Sequence, residues 1–507
     1  MDLADWESPD PGEVVHPSSL TEWKDALSRY LGSRNDVPLL RCLDVALECG
    51  ASTLVIETRY LDLDYRSEYS AYFSRTFAPI PDSTHRLHFF SEIIEPDQVA
   101  DLPESPGYLG YVIVRPAPNG PVSRAMLTPP PSIEEAITTV VSETVHLFGQ
   151  PLTVRAVPFA QQDTQLGACA HVAAWVCHYT AFLRGDVGRR PRADFSLQAN
   201  ASLHPARSLP TQGLTVNQLS DLFRTFDLPA IFYALGELPE QPLPWQPPAP
   251  QPPAHAPGSP PPHPGTWDVR VVPLLCRYLN SGMPVLVGTQ DHAFVVCGYR
   301  RNPTNLNWID FYRNDDQRGP YLPMANVLAD VDPLTGHAHS LWQTVHVPAP
   351  DKIWLSPEAA ERVGGLLMQN ASTAASTAVA TITGSAVDSI DDLIATESFS
   401  LRTYVASSNR FKASLSARGL PPELVRRYRL ARMPRFVLVV EAVERRLRSA
   451  GAACTIGQCI FDATSDDHDP GLLAMDVHGV SWVFGPDRTP GGVNFALATP
   501  YNTGAIA

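Results

Sequence analysis

The chain has 507 residues, 44% hydrophobic and 18% charged, with 53 acidic against 38 basic side chains and a net charge of −15. So long a chain is expected to form two to four domains of roughly 150 residues each, and its apolar content excludes wholesale disorder. The negative balance speaks against nucleic acid as a partner, because phosphate binding needs a basic surface. The one basic run, "VRRYRLARMPR" (425–435), reads as a solvated helix face. The acidic start "MDLADWESPD" lacks a signal-peptide pattern, and no run of about 18 apolar residues occurs, so no membrane partner is expected. Eight dispersed cysteines suit a reduced, cytoplasmic setting.

A first helix is expected at "TEWKDALSRYLG", capped by Thr21, striped with Trp23, Leu27, Tyr30 and Leu31, and ended by Gly32. Strand character follows at Tyr60 to Tyr65 and again in "GYLGYVIVRP" (107–116), which Pro116 closes. These make an N-terminal α+β region, residues 1–135. Residues 138–160 read as two strands turning at "GQP", where Gly149 allows positive φ. The second strand leads into "QQDTQLGACAHVAAWV". A buried helix is expected from Cys169 to Gly185, with Val172, Trp175, Val176, Tyr179 and Phe182 at three- and four-residue steps. Another, "TVNQLSDLFRTFDL", carries Thr215 and Gln218 at capping-box spacing. The proline-dense stretch 237–265 is read as an extended insertion.

Three strands are then expected at "MPVLVG", "HAFVVCGY" and "NWIDFYRND", and a fourth in "SLWQTVHVPAPDKIWL". Residues 356–390, with the small, polar run 369–386, read as a linker or weak helix. The C-terminal region, 391–507, is expected to be α+β, with a helix over "LRTYVASSNRFKASLSARG" and strands at "RFVLVVEAV", "TIGQCIFDA", "GLLAMDV" and "VSWVF".

Thiol acyl transfer needs a nucleophile, a base, a group that orients the base, and donors for the oxyanion. Cys169 sits at a helix N-terminus, whose dipole favours a thiolate. Gln162, seven residues earlier, has an amide that can donate to an oxyanion. His292 opens a strand after the polar "GTQD" turn, and the next strand ends in Asn314, Asp315 and Asp316. Antiparallel pairing of the two would bring an amide or carboxylate to the imidazole. Cys177 and Cys297 read as core, and His171 and His178 as helix-surface or partly buried. Neither His337, His339 and His346 nor Cys454 and Cys459 make a convincing metal set, so no metal and no cofactor is expected. No phosphate loop, dinucleotide fingerprint, zinc-protease or serine-hydrolase motif is found.

The order of these residues, with "TQLGACAHVAAW", "GLTVNQLSDLFRTFDLPAIFY", "MPVLVGTQDHAFVVCGY" and "IDFYRNDDQRGPY", resembles the papain-like cysteine peptidases, nearest the compact bacterial branch that trims leader peptides. The resemblance covers about residues 150–350 and implies a papain-like core over 136–355: a helix bearing the cysteine, packed on an antiparallel sheet bearing the histidine. It implies Cys169 as nucleophile, His292 as general base and acid, and Gln162 as oxyanion donor. Gln162 stands one residue further from the cysteine than usual, so Gln165 or backbone N–H groups remain alternatives. For the third member Asp310, Asn314 and Asp315 stay open, with Asp315 favoured. The papain signature C-G-[SA]-C-[WY] is absent. The implied function is hydrolysis of a peptide or isopeptide bond in a peptide or protein substrate. Alternatives are an acyltransferase or transglutaminase-like enzyme, or an inert papain-like scaffold. The terminal regions are candidate surfaces for a regulatory protein partner.

Overall fold

The computed structural model describes residues 12–31, 36–77, 79–103, 106–117, 119–199, 213–235, 271–301, 309–324, 329–331, 338–449, 452–484 and 490–495. The fold is mixed α+β, built on antiparallel sheets. The N-terminal part runs β1 (Gly12–Val15), α1 (Leu20–Leu31), α2 (Val37–Glu48), β2 (Thr53–Tyr60), α3 (Leu63–Ala71), β3 (Thr84–Phe90), β4 (Tyr108–Val114) and β5 (Val122–Leu127). Its strands pair in sequence order into a five-stranded meander. Strand character ends at Tyr60 instead of running on to Tyr65. Asp62 accepts the Tyr65 N–H at 3.0 Å, capping α3 and turning the chain into helix.

A hairpin follows, β6 (Val141–Leu147) and β7 (Gln150–Ala156), with Phe148 and Gly149 at positive φ in its turn. Next come α4 (Cys169–Leu183), α5 (Arg192–Ala199), α6 (Val216–Thr225), β8 (Ala230–Ala234), α7 (Val271–Asn280), β9 (Val285–Thr289), β10 (Ala293–Arg301), β11 (Ile309–Asp315), β12 (Gly319–Met324), β13 (Ala329–Val331) and β14 (Ala338–Pro348). The strands form a seven-stranded sheet in the order β12-β11-β10-β9-β14-β13, with β8 also on β14. Thr215 and Gln218 make the expected capping box on α6. The proline-dense insertion lies outside the described residues.

The last part comprises α8 (Pro357–Thr383), α9 (Ile390–Ala395), β15 (Phe399–Ser407), α10 (Ser408–Ser414), α11 (Pro422–Leu430), β16 (Phe436–Glu444), α12 (Arg445–Ser449), β17 (Thr455–Asp462), β18 (Gly471–Val477), β19 (Val480–Phe484) and β20 (Pro490–Phe495). Its strands form a six-stranded meander. The small, polar run read as a linker or weak helix is the second half of the 27-residue α8, capped by Ser356 and ended by left-handed Gly384. Its small residues let the helix lie close to the sheet: a Cβ on Gly364 would meet Phe461, Val440 and Cys459 at 3.1–3.3 Å. The helix expected over 401–419 begins only at Ser408. Before it, Leu401 to Ser407 pair with Ala442 to Phe436 of β16.

Alternation along β9 and β10 divides two cores. Leu286, Ala293 and Val295 pack against α4 on one face. Val285, Val287, Phe294 and Val296 face α7 and α8 on the other, in one apolar cluster with Val440, Phe461 and Val477 of the C-terminal sheet. The N-terminal sheet shares a further cluster with Cys297, Tyr312 and Tyr321 near β12, through α2.

Candidate active site

The loop before α4 is fixed at several points. Asp163 Oδ1 accepts the N–H groups of Gln165, Leu166 and Gly167 at 2.8, 2.7 and 3.0 Å. This is the local turn chemistry of a short carboxylate folding onto its own backbone. Arg115, buried just beyond β4, donates to the carbonyls of Gln161 and Gly120, both at 2.8 Å, and to Glu68 at 2.6 Å. Its guanidinium also lies 3.7 Å from Asp163. The Gln161 amide joins the Val122 N–H to Asp36. Gly120 has φ +65°, and a Cβ there would sit 2.0 Å from the Gln162 carbonyl, so only glycine admits this approach. Gln162 is half-buried in this loop, and among the described residues nothing hydrogen-bonds its amide.

This loop delivers Cys169 as the first residue of α4, with Ala168 extended before it (φ −98°, ψ 173°). The His171 and Val172 N–H groups bond the Ala168 carbonyl at 3.0 and 3.2 Å, while the N–H groups of Cys169 and Ala170 precede the first helical bond. His171 accepts the Ala168 N–H through Nδ1 at 3.3 Å. It is fully buried, not on the helix surface, and burial lowers its pKa to about 4, so it stays neutral. His178 is buried as well, edge-on to Phe195 and Phe226. Cys177 and Cys297 are core residues, and every cysteine except Cys49 and Cys169 is buried.

His292 stands just ahead of β10. Its backbone is closed onto Thr289 by two reciprocal hydrogen bonds, which fix the β9–β10 turn. The pairing of Val295 with Asn314, continued outward, sets His292 across from Gln317. His292 Nε2 lies 3.2 Å from Asp315 Oδ1 and 3.8 Å from Asp316 Oδ1. The Cys169 thiol acts on the same ring and favours its charged form. With Nε2 held by Asp315, Nδ1 is the nitrogen left for sulfur. The Gln317 amide nitrogen lies 3.4 Å from it. No family model matches the chain, and no curated protein does.

The electrostatics follow from these contacts. Burial works against a charged His292, but hydrogen bonds to Asp315 and Cys169 and the charges of Asp315 and Asp316 outweigh it, raising its pKa to about 10. Burial likewise opposes ionisation of Asp315. The His292 and Gln317 N–H groups and the Arg313 guanidinium overcome it and hold the carboxyl below the usual range. For Asp316, burial and the neighbouring Asp315 carboxylate outweigh the pull of His292 and of its own backbone N–H, and it is pushed up to about 7.

Asn314 is not at the imidazole. Neighbouring strand residues face opposite ways. Its amide donates to the Pro158 carbonyl at 3.0 Å and accepts the Tyr321 N–H at 2.9 Å, fastening the chain after β7 to the sheet. Asp310 lies at the far end of β11, opposite Arg300. Gln165 is half-buried in the Asp163 turn. Sequence reasoning missed Asp163, Arg115 and Gln317. The "QDTQLG" turn signal could have found the first; Arg115 has no local signal. His346 is buried against Phe232 and belongs to no metal-ligand cluster among the described residues. The one group there with ligands close enough for a metal is His292, Asp315 and Asp316. A thiol beside an imidazole that a carboxylate orients can pass its proton from sulfur to nitrogen, with the carboxylate holding the ring.

Proposed function

We propose that the chain is a papain-like cysteine hydrolase that cleaves a peptide or isopeptide bond through a thioester. The observation that carries this reading is Cys169 at the N-terminus of a buried helix, acting on His292, whose Nε2 lies 3.2 Å from Asp315 Oδ1. Cys169 sulfur attacks the substrate carbonyl as a thiolate whose proton already rests on His292. The oxyanion is met by the first N–H groups of α4, with the Gln162 amide as a further donor. The imidazolium then protonates the leaving amine as the carbon–nitrogen bond breaks. Now neutral, His292 takes a proton from water, hydroxide attacks the thioester, and the acid leaves as the thiol is restored. Because His292 carries its proton through neutral pH, the acid for the first step is already in place. The substrate class suggested by the resemblance is a peptide or protein.

The test uses the chain's own control thiol. Cys49 is also half-buried, but burial and the charge of Glu48 push it up to about 11. Iodoacetamide at pH 6.5, followed by peptide mapping, is expected to label Cys169 and leave Cys49 untouched. His292→Ala is expected to slow Cys169 labelling at least tenfold at this pH while leaving Cys49 unchanged. Equal labelling of the two thiols, or a Cys169 rate unchanged in His292→Ala, would sink the hydrolase reading.

A further inference from the structure

Asp316 has no task in the proposed mechanism, yet it is the least satisfied buried group beside it. The residue is 5% exposed, and neither carboxylate oxygen has a hydrogen-bond partner. The second oxygen of Asp315 is also without a hydrogen bond, with only the Arg313 guanidinium 3.4 Å away. Two buried carboxylates face one guanidinium and an imidazole that can be neutral or charged. Leaving a carboxylate buried without donors is costly, and the cost is relieved by a proton or by a cation.

The spacing discriminates between cations. Zinc binds histidine nitrogen and carboxylate oxygen at roughly 2.0–2.2 Å in a tetrahedron, which sets neighbouring ligand atoms about 3.4 Å apart. The two distances from His292 Nε2, 3.2 and 3.8 Å, bracket that edge. The three ligand atoms lie within 4.8 Å of one another, so a turn of one carboxylate closes the third edge. Calcium and magnesium prefer six or more oxygen ligands and suit a site with a histidine nitrogen poorly. The imidazole, at 13% exposure, is the group through which an ion would enter.

We propose that His292, Asp315 and Asp316 form a zinc site whose occupancy switches the thiol chemistry off. The switching half of this proposal rests on the hydrolase reading; the binding half does not. A zinc ion on Nε2 takes that lone pair and leaves the ring's single proton on Nδ1. The ring then has nothing with which to accept the Cys169 proton. Asp315 leaves its orienting contact for the metal in the same step.

Calorimetric titration of zinc chloride into the Cys169→Ser variant tests the site without any help from the thiol. One ion per chain is expected to bind. Asp316→Asn on that background keeps the side chain's shape and is expected to weaken binding at least tenfold. Asp310→Asn, on the same strand but at its far end, is expected to bind as the parent does. Circular dichroism on both variants separates loss of the ligand from loss of the fold, and Asp316→Glu, which keeps the carboxylate, is expected to retain measurable binding. Absence of binding to Cys169→Ser, or equal affinity in folded Asp316→Asn, would overturn the proposal. Since the nucleophile is absent throughout, a failure here leaves the hydrolase reading standing. Failure of the alkylation test in turn leaves the binding site standing.

Discussion

Asp315→Asn isolates the contact that sets the state of His292. The imidazole is raised from 6.5 to about 10 in the folded chain. A group so raised stabilises the fold fully below its unfolded pKa near 6.5, and the contribution is lost as pH climbs through 10. The full gap corresponds to at most ~5 kcal/mol. Asp315 supplies both the ring's carboxylate hydrogen bond and the nearest negative charge. Its own carboxyl is depressed, so its share is present above roughly pH 4 and fades below that. Losing it at pH 6 is expected to cost ~3–5 kcal/mol, the usual result of removing one partner from a buried pair. Urea unfolding of both proteins at pH 6, 8 and 10 reads the difference. It should be largest at pH 6 and shrink steadily toward pH 10, where the parent histidine is also losing its proton. A difference under about 1 kcal/mol at pH 6, or one that does not change with pH, would refute the ion-pair reasoning.

Gly120→Ala places a methyl group against the Gln162 carbonyl at a left-handed backbone position. It is expected to cost ~1–3 kcal/mol in unfolding and to slow Cys169 alkylation several-fold, because the loop must shift. Unchanged alkylation would show that this loop does not set the thiol's position. Gly364→Leu crowds Phe461, Val440 and Cys459 and should lower stability by ~1–3 kcal/mol while leaving alkylation of the folded protein intact.

Parts of the fold around the candidate site were legible because local signals carry them. Cys169 follows a turn-forming run and opens an apolar helix. Thr215 and Gln218 announce a helix start, and three β-branched, aromatic runs lie where β9, β10 and β11 are found. Among Asp310, Asn314 and Asp315 the strand's end favoured Asp315, and it is the one beside the imidazole, but an alternating pattern alone does not decide which residue faces the ring. The β11–β12 pairing also shifts between Arg313 and Asp315, which breaks simple alternation at that point. Arg115 meets Gln161 across 46 positions of chain, a contact no local pattern records. The stretch from Leu401 to Ser407 has a composition compatible with helix. It is held as strand by β16, whose partner residues begin at Phe436. The alanine-, serine- and threonine-rich part of α8 looks like a spacer, yet it continues a helix that packs on the C-terminal sheet, with Ser372, Ala375 and Ser376 buried.

That helix has a further consequence. Val285 and Val287 beneath the histidine turn belong to the same apolar cluster as Val440 and Phe461, and the buried Arg277–Glu361 pair bolts α7 to α8. A proteolytic cut between Leu355 and Ser356 would therefore not free two soluble halves. Each fragment would carry a wide greasy face into water and would either cling to the other or precipitate. Control of this chain by shedding its C-terminal third is thus disfavoured, and that third must change in step with the sheet it covers, not be swapped as an independent module.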